Sequence, residues 1–311
     1  AEAAAIPAPE LSRQLEDMLT RYGFTSVFDL GSPWENTRRI RERIESGEVP
    51  GPRIRSTGEG LLPPGVVPSE AVLNVLGVMR NPNPPLGIAD AAQAEAAARK
   101  QLDDGVDGIK LHSLAEESVI QAAVREAHRS GKPVFVHPRG SAGLLAAVRG
   151  GVDIIAHTTP GSDPWDEMVL TAMKERGVVV IPTLQIWKYL KRHDRVSAQE
   201  EFVNSAVGQL RAWLARGGTV LFGTDAGGGD YDPGEEYTLL AEAGMSFRQI
   251  LAALTTAPAE RFGESQQRGR VAAGFQADLV VLKADPAGNI RTLAGVEYTL
   301  RDGKIIYRAR E

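Results

Sequence analysis

Between Gly105 and Pro160 the sequence carries three short apolar runs, GVDGIKLHS, KPVFVHP and DIIAHTTP. Each closes around a polar residue able to serve a site: Lys110, His137 and His157. A later run, TVLFGTD, closes on Asp225. Helical patterns separate the runs. Short continuous apolar segments alternating with helices are what a parallel sheet covered on both faces requires. In a (β/α) barrel the C-terminal ends of the strands converge on one face, and chemistry is placed there. The fold class is therefore read as α/β, a TIM-like (β/α) barrel. A doubly wound open sheet is the rival, but no GxGxxG follows the first strand, so nothing supports a dinucleotide-binding version.

Strand ends are expected near Leu30, Thr57, His112, His137, His157, Thr183 and Asp225, one unit short of a closed barrel. Leu11, Leu15, Met18, Leu19 and Tyr22 recur at helical spacing, with Ser12 as the expected cap and Gly23 as the stop. Residues 34–47, 89–105, 141–151, 165–176 and 197–216 also read as helices. Ser113, with Glu116 three residues on, reads as the capping box of a helix running to Arg129. Residues 62–88 hold Pro63, Pro64, Pro68, Pro82, Pro84 and Pro85. The segment is too long for an ordinary connection, which marks a candidate substrate loop or lid. After Arg268 short strands and turns follow, including a hairpin at Arg301-Asp302-Gly303. The expected division is a barrel over 1–267 and a small β-sandwich segment over 268–311.

Composition narrows the function classes. The chain has 311 residues, 42% of them hydrophobic, and no apolar run approaching a membrane span. Its net charge of −5 and the lack of a basic stripe with aromatics argue against nucleic acid as a partner. A small-molecule substrate is expected instead, with no membrane partner. An uncovered barrel edge would favour self-association into a homo-oligomer. Cysteine is absent, which excludes disulfides and thiolate metal sites and leaves the compartment open, with a slight lean to the cytoplasm over a processed secreted form. The opening AEAAAIPAPE has neither a basic n-region nor an apolar h-region and is not expected to be a signal peptide.

Each candidate residue has a plain structural reading beside its functional one. His137 and His157 are metal ligands, or histidines hydrogen-bonded in a barrel mouth. Asp225, before Ala226 and three glycines, is a turn residue, or a metal ligand that also shuttles a proton. Lys110 lies between Ile109 and Leu111 and should point inward, where an ammonium is costly. It is a salt-bridge partner, a Schiff-base nucleophile, or an amine carboxylated by CO2. His112 shares the side of Lys110 by strand alternation and is a candidate substrate contact. Trp187 and Tyr189, after VVVIPT, are candidate pocket residues. His128 and His193 are expected to be structural and solvent-facing, respectively. Gly227, Gly228 and Gly229 mark a backbone that approaches a ligand or moves.

The ordered set GIKLHS, KPVFVHP, DIIAHTTP, GTDAG resembles the amidohydrolase superfamily, and within it the Xaa-Pro dipeptidase-like, imidazolonepropionase-related branch. GFTSVFDLGS, GEEYTLLAEAGMSFRQILAALTTAPAERFGE and GRVAAGFQADLVVLKADPAGNI resemble further segments of that branch, with Glu236 at a usually acidic position. The resemblance covers roughly Gly23 to Tyr307. It implies a metal-dependent hydrolase of amide-like C–N bonds, not excluding esters or lactones, with a dipeptide or N-acyl amino acid as substrate. Lys110 would be the carboxylated lysine bridging two zinc or similar divalent ions. His137 and His157 would bind the second ion, and Asp225 would bind the first and act as general base for a metal-activated hydroxide. The family opens its barrel with a strand ending in His-x-His. No such motif occurs here, and His112 is the first histidine. The resemblance therefore implies one ion or two, a missing first strand, and as an alternative an impaired relative that binds a ligand or partner without turnover. A Lys110 Schiff-base lyase is a further alternative.

Overall fold

A computed structural model describes residues 5–66, 87–114, 116–162, 164–192, 194–225 and 231–310. The chain divides into two compact units, one formed by residues 57–228 and the other by residues 1–56 with 229–311.

The first unit is built by alternation. Helix α3 (Ala91–Asp103) precedes strand β3 (Ile109–His112), and the chain continues α4 (Glu117–Arg129), β4 (Val134–His137), α5 (Gly140–Arg149), β5 (Ile154–Ala156), α6 (Glu167–Glu175), β6 (Val179–Ile181), α7 (Leu184–Leu190), α8 (Val196–Ala215) and β7 (Thr219–Val220). The five strands pair in sequence order, all parallel. Ile109, Leu111, Val134, Phe135, Val136, Ile154, Ile155, Ala156 and Val180 are fully buried. A parallel sheet covered on both faces needs apolar residues at every position, not every second one, which is why these strands read as unbroken runs. Leu61 extends the pairing beyond β3, its amide donating to the Lys110 carbonyl at 2.8 Å. The β7 turn requires glycine, because a Cβ on Gly218 would lie 2.0 Å from the Trp213 ring.

The second unit holds α1 (Ala8–Met18), β1 (Ser26–Asp29), α2 (Trp34–Glu45) and β2 (Arg53–Ser56), followed at the other end of the chain by α9 (Gly234–Glu242), α10 (Phe247–Leu254), α11 (Thr256–Arg261), β8 (Leu279–Leu282), β9 (Val296–Arg301) and β10 (Lys304–Arg308). Strands β1 and β2 pair in parallel, and Leu11, Leu15, Ile44, Val49 and Ile54 form a core beside them. Strands β8, β9 and β10 make a small antiparallel sheet. Its hairpin turns on Asp302 and Gly303, both at positive φ (50° and 77°), as a two-residue turn matched to strand twist demands. Arg53 pairs with Asp278 and Asp302, and Arg301 with Glu45, so buried-edge arginines pin this sheet to β2 and α2.

Three local expectations are corrected. Ser12 lies inside α1, which begins four residues earlier, after Pro7 and with Pro9 in its first turn, because a proline at the helix start needs no amide partner. Ser113 does not cap α4, whose first turn is led by Glu116, because Ser113 adopts a left-handed backbone (φ 59°) and its hydroxyl meets His112 Nδ1 at 3.1 Å. The run 219–225 pairs as a strand only over Thr219–Val220, although Leu221 still donates to Val180 at 2.9 Å. The segment after VVVIPT is helical, as α7. Most of the Pro-rich loop (67–86) and Gly227–Gly229 lie outside the described residues, as does His193.

Candidate functional site

Strand register brings the candidate residues together. Lys110 and His112 alternate to one side of β3, and His112 is level with His137 on β4. Their rings stack, with centroids 4.2 Å apart and planes within 5°. Continuing the β4–β5 register sets His137 level with Ala156, so alternation would turn His157 to the opposite face. His157 instead has φ 78°, and its ring sits edge-on to His137 at 4.7 Å. Thr183, after β6, has φ 46° and ψ 52°, and its Oγ1 lies 2.7 Å from His157 Nδ1. Asp225, beyond β7, has φ 50°, and its Oδ2 lies 3.9 Å from the same nitrogen.

Among the described residues the non-glycine positive-φ positions are Ser113, His157, Thr183, Asp225 and Asp302. The first four all follow strands of one sheet, at the ends that carry the candidate residues. Such conformations are uncommon outside glycine and cost on the order of 1–3 kcal/mol each. For β-branched Thr183 the conformation is a true outlier. Strain of this kind gathers where structure around it enforces a working geometry.

Burial sets the charges. It pushes Lys110 down to about 8, partly opposed by the Asp225 carboxylate. It pushes His112 down to about 4, with Lys110 adding to the effect. His137 falls to about 2 through burial and then the repulsion of His112 and Lys110. His157 falls well below its usual value, by burial first and then by the repulsion that a charge on it would meet from His137, Lys110 and His112. Asp225 keeps 43% of its side chain open, yet the wall around it raises its carboxyl to about 6, with Lys110 pulling the other way. At neutral pH the cluster therefore holds neutral imidazoles, a largely ionised aspartate and a lysine that is still mainly protonated but gives up its proton more easily than usual. No described residue forms a hydrogen bond or ion pair with the Lys110 ammonium, so the salt-bridge reading of this lysine finds no partner at contact distance.

The donor types fit a divalent cation: neutral imidazole nitrogens, a carboxylate, and a lysine whose amine loses its proton easily. Among the described residues no group of three or more His, Asp or Glu side chains is placed to hold a metal ion. The fit is one of chemistry and strand placement.

A cavity of about 280 Å³ opens beside His137. Ser113, Arg139, Thr158, Thr159, Ser162 and Trp187 are among its walls. Trp187 is held there by donating its indole N–H to Thr158 Oγ1 at 2.9 Å. Gln209 clamps the β5–α6 loop, accepting from the Thr159 amide at 2.7 Å and donating to its carbonyl at 3.0 Å. Tyr189 does not line this cavity and lies two residues further along α7. His128 binds Asp153 at 2.8 Å, a structural role. Sequence reasoning missed Thr183, Ser113 and Arg139. Arg139 had a readable signal, two residues beyond a candidate histidine. For Thr183 no residue pattern foretells a left-handed threonine.

Comparisons with known proteins follow the same lines. A solved Xaa-Pro dipeptidase with methionine in its active site superposes with a TM-score of 0.83 at 22% identity, covering 98% of this chain and 82% of that one. Aspergillus niger ochratoxinase superposes at 0.77 with 24% identity, covering 98% and 77%. These likenesses show the shared α/β fold. In sequence, Aspergillus niger ochratoxinase is 26% identical over 91% of this chain, and the chain spans 65% of that relative's length. The profile described as the amidohydrolase family matches residues 11–306, nearly the whole chain, and the protein belongs to that family.

Proposed function

We propose that the protein is a metal-dependent amidohydrolase that cleaves the C–N bond of a small amide, such as a dipeptide or an N-acyl amino acid. The observation that carries this reading is the placement of Lys110 within β3, and of His137, His157 and Asp225 at or beyond the ends of strands of the same parallel sheet, with His137 lining a cavity. Family membership and the activities after which its relatives are named, an ochratoxinase and a Xaa-Pro dipeptidase, support the bond class.

His137, His157 and Asp225 would hold zinc or a similar ion, with Lys110 joining them as a carbamate after reaction of its neutral amine with CO2. Bound there, the ion supplies a water of lowered pKa and polarises the scissile carbonyl. Asp225 is ionised at neutral pH, so its carboxylate takes a proton from the attacking water and returns it to the departing nitrogen. Trp187 supplies an apolar wall for substrate. His112 fixes the ring of His137 by stacking.

A panel of N-acyl amino acids and dipeptides, assayed with and without chelation, tests the reading. Turnover that vanishes on chelation, returns with zinc and is abolished in His137→Ala is the expected result. Turnover indifferent to both treatments overturns it. A ligand-binding relative without turnover is the second reading, favoured by the lack, among the described residues, of a group of three His, Asp or Glu side chains placed to hold a metal ion. Metal-dependent hydrolysis by this chain removes that alternative.

A further inference from the structure

Thr183 stands at a place where its sequence identity is unexpected. It is the residue before α7, where a threonine hydroxyl ordinarily accepts a hydrogen bond from the helix's first turn. Its side chain makes no such cap. Its backbone is left-handed, a region that glycine and asparagine enter far more easily than a β-branched residue. It is 3% exposed, so solvent interactions do not account for its hydroxyl. Both unfavourable features allow one contact, Oγ1 to His157 Nδ1 at 2.7 Å.

The surrounding backbone holds that contact in place. The His157 amide donates to the Ile181 carbonyl at 2.8 Å, and the Thr158 amide to the Pro182 carbonyl at 3.3 Å. The segment carrying the ring and the segment carrying the hydroxyl are therefore stitched together immediately beside the contact. Nδ1 also faces the Asp225 carboxylate, with Oδ2 at 3.9 Å. A lone pair on Nδ1 would point at a negative oxygen, whereas an N–H there is attracted to it and can donate to Thr183 Oγ1.

We propose that Thr183 is a positioning residue that fixes His157 as the Nδ1–H tautomer, leaving Nε2 as the lone-pair nitrogen that the ring presents to the site. Which nitrogen of a histidine ligates is commonly set by the hydrogen bond made by the other. The inference uses the reading of His157 as a site residue for its consequence, but the tautomer itself is independent of any turnover.

The chain has five histidines, so nitrogen-15 labelling gives a resolvable imidazole spectrum. In the wild-type protein at neutral pH, long-range proton–nitrogen correlations are expected to show a protonated Nδ1 and a bare Nε2 for His157. Thr183→Val keeps the side-chain shape and removes the hydroxyl, and it should produce a mixture of tautomers or the Nε2–H form. Thr183→Ser should keep the wild-type pattern. An Nε2–H pattern in the wild type overturns the proposal, as does an unchanged pattern in Thr183→Val. The wild-type spectrum decides the matter even if the valine variant does not fold. Chelator competition then reads the consequence: Thr183→Val should bind zinc roughly 10- to 100-fold more weakly, and Thr183→Ser within a few-fold of wild type. If the wild type binds no zinc, the metal reading falls while the tautomer result stands.

Discussion

The imidazoles of His112 and His137 lie face to face, 4.2 Å apart, because parallel register sets the last residues of β3 and β4 side by side. Two protonated rings at that distance would repel, and burial already disfavours either charge. The stack is thus a neutral pair, and this has a consequence for stability in acid. The folded-state pKa of these histidines lies below the unfolded value near 6.5, so the unfolded chain binds more protons as pH falls. Their contribution is complete above pH 6.5 and is lost toward pH 4. For His112 alone the loss by pH 5 is about 2 kcal/mol. Asp225, with a raised pKa, works in the opposite direction over pH 4–6, but it is partly open to solvent and its share is smaller. Metal-free protein should therefore show a falling Tm from pH 7 to pH 5, and His112→Asn should show a shallower fall. Equal slopes would contradict the neutral stack.

Lys110 should be a stability cost carried for function. Its ammonium is buried and has no ion-pair partner among the described residues. Lys110→Met is expected to raise stability at pH 7 by about 1–3 kcal/mol, since a methionine fills similar volume without the charge. The same variant should lose turnover. Its wild-type pKa of about 8 means that the neutral amine grows as pH rises toward 8, so addition of bicarbonate should help metal loading most at mildly alkaline pH. Intact mass measured without acid should then show one added CO2, absent in Lys110→Met. Borohydride trapping with a carbonyl compound should leave Lys110 unmodified, and a stable adduct there would favour the Schiff-base alternative.

Asp225→Asn removes the proton carrier while keeping size and a side chain tolerant of left-handed backbone. Turnover should fall about 10²- to 10⁴-fold, the usual worth of general acid–base catalysis, with no loss of Tm. A fall of less than tenfold would take the proton-transfer role from this residue.

Arg139 is the charged side chain of the cavity wall, exposed and without an ion pair among the described residues, and none of the lining side chains is acidic. A substrate carboxylate is its natural partner. Arg139→Met should lower kcat/KM for N-acyl amino acids about 10- to 100-fold, the worth of a charge-assisted hydrogen bond. For the corresponding neutral amides it should change little. An equal loss on both substrates would mean that Arg139 shapes the loop and does not read charge.

The strands around the site were legible because a doubly covered parallel strand cannot hide its apolar run, and Lys110, His137, His157 and Asp225 each interrupt or close one. The hairpin at Asp302-Gly303 was legible for a similar reason, since few residue pairs tolerate two successive positive φ angles. What escaped was the sign of φ elsewhere. Ser113 reads as a helix cap and Thr183 as an extended residue, and both turn left because tertiary partners hold them there. The shortness of β7 escaped too. Apolar residues through Phe222 continue the strand pattern, while described pairing stops near Leu221.

The left-handed residues at these strand ends set stability and activity against each other under artificial selection. Replacing Thr183 with glycine or asparagine would relax the backbone by about 1 kcal/mol while removing the hydroxyl that meets His157. Asp225→Gly would do the same at the price of its carboxylate. A library sorted only for heat resistance should therefore enrich variants at these positions, and its best survivors should be poor catalysts. Stabilising this protein without harming the site means anchoring positions remote from the strand ends, for example the β8–β10 sheet, and leaving the strained residues untouched.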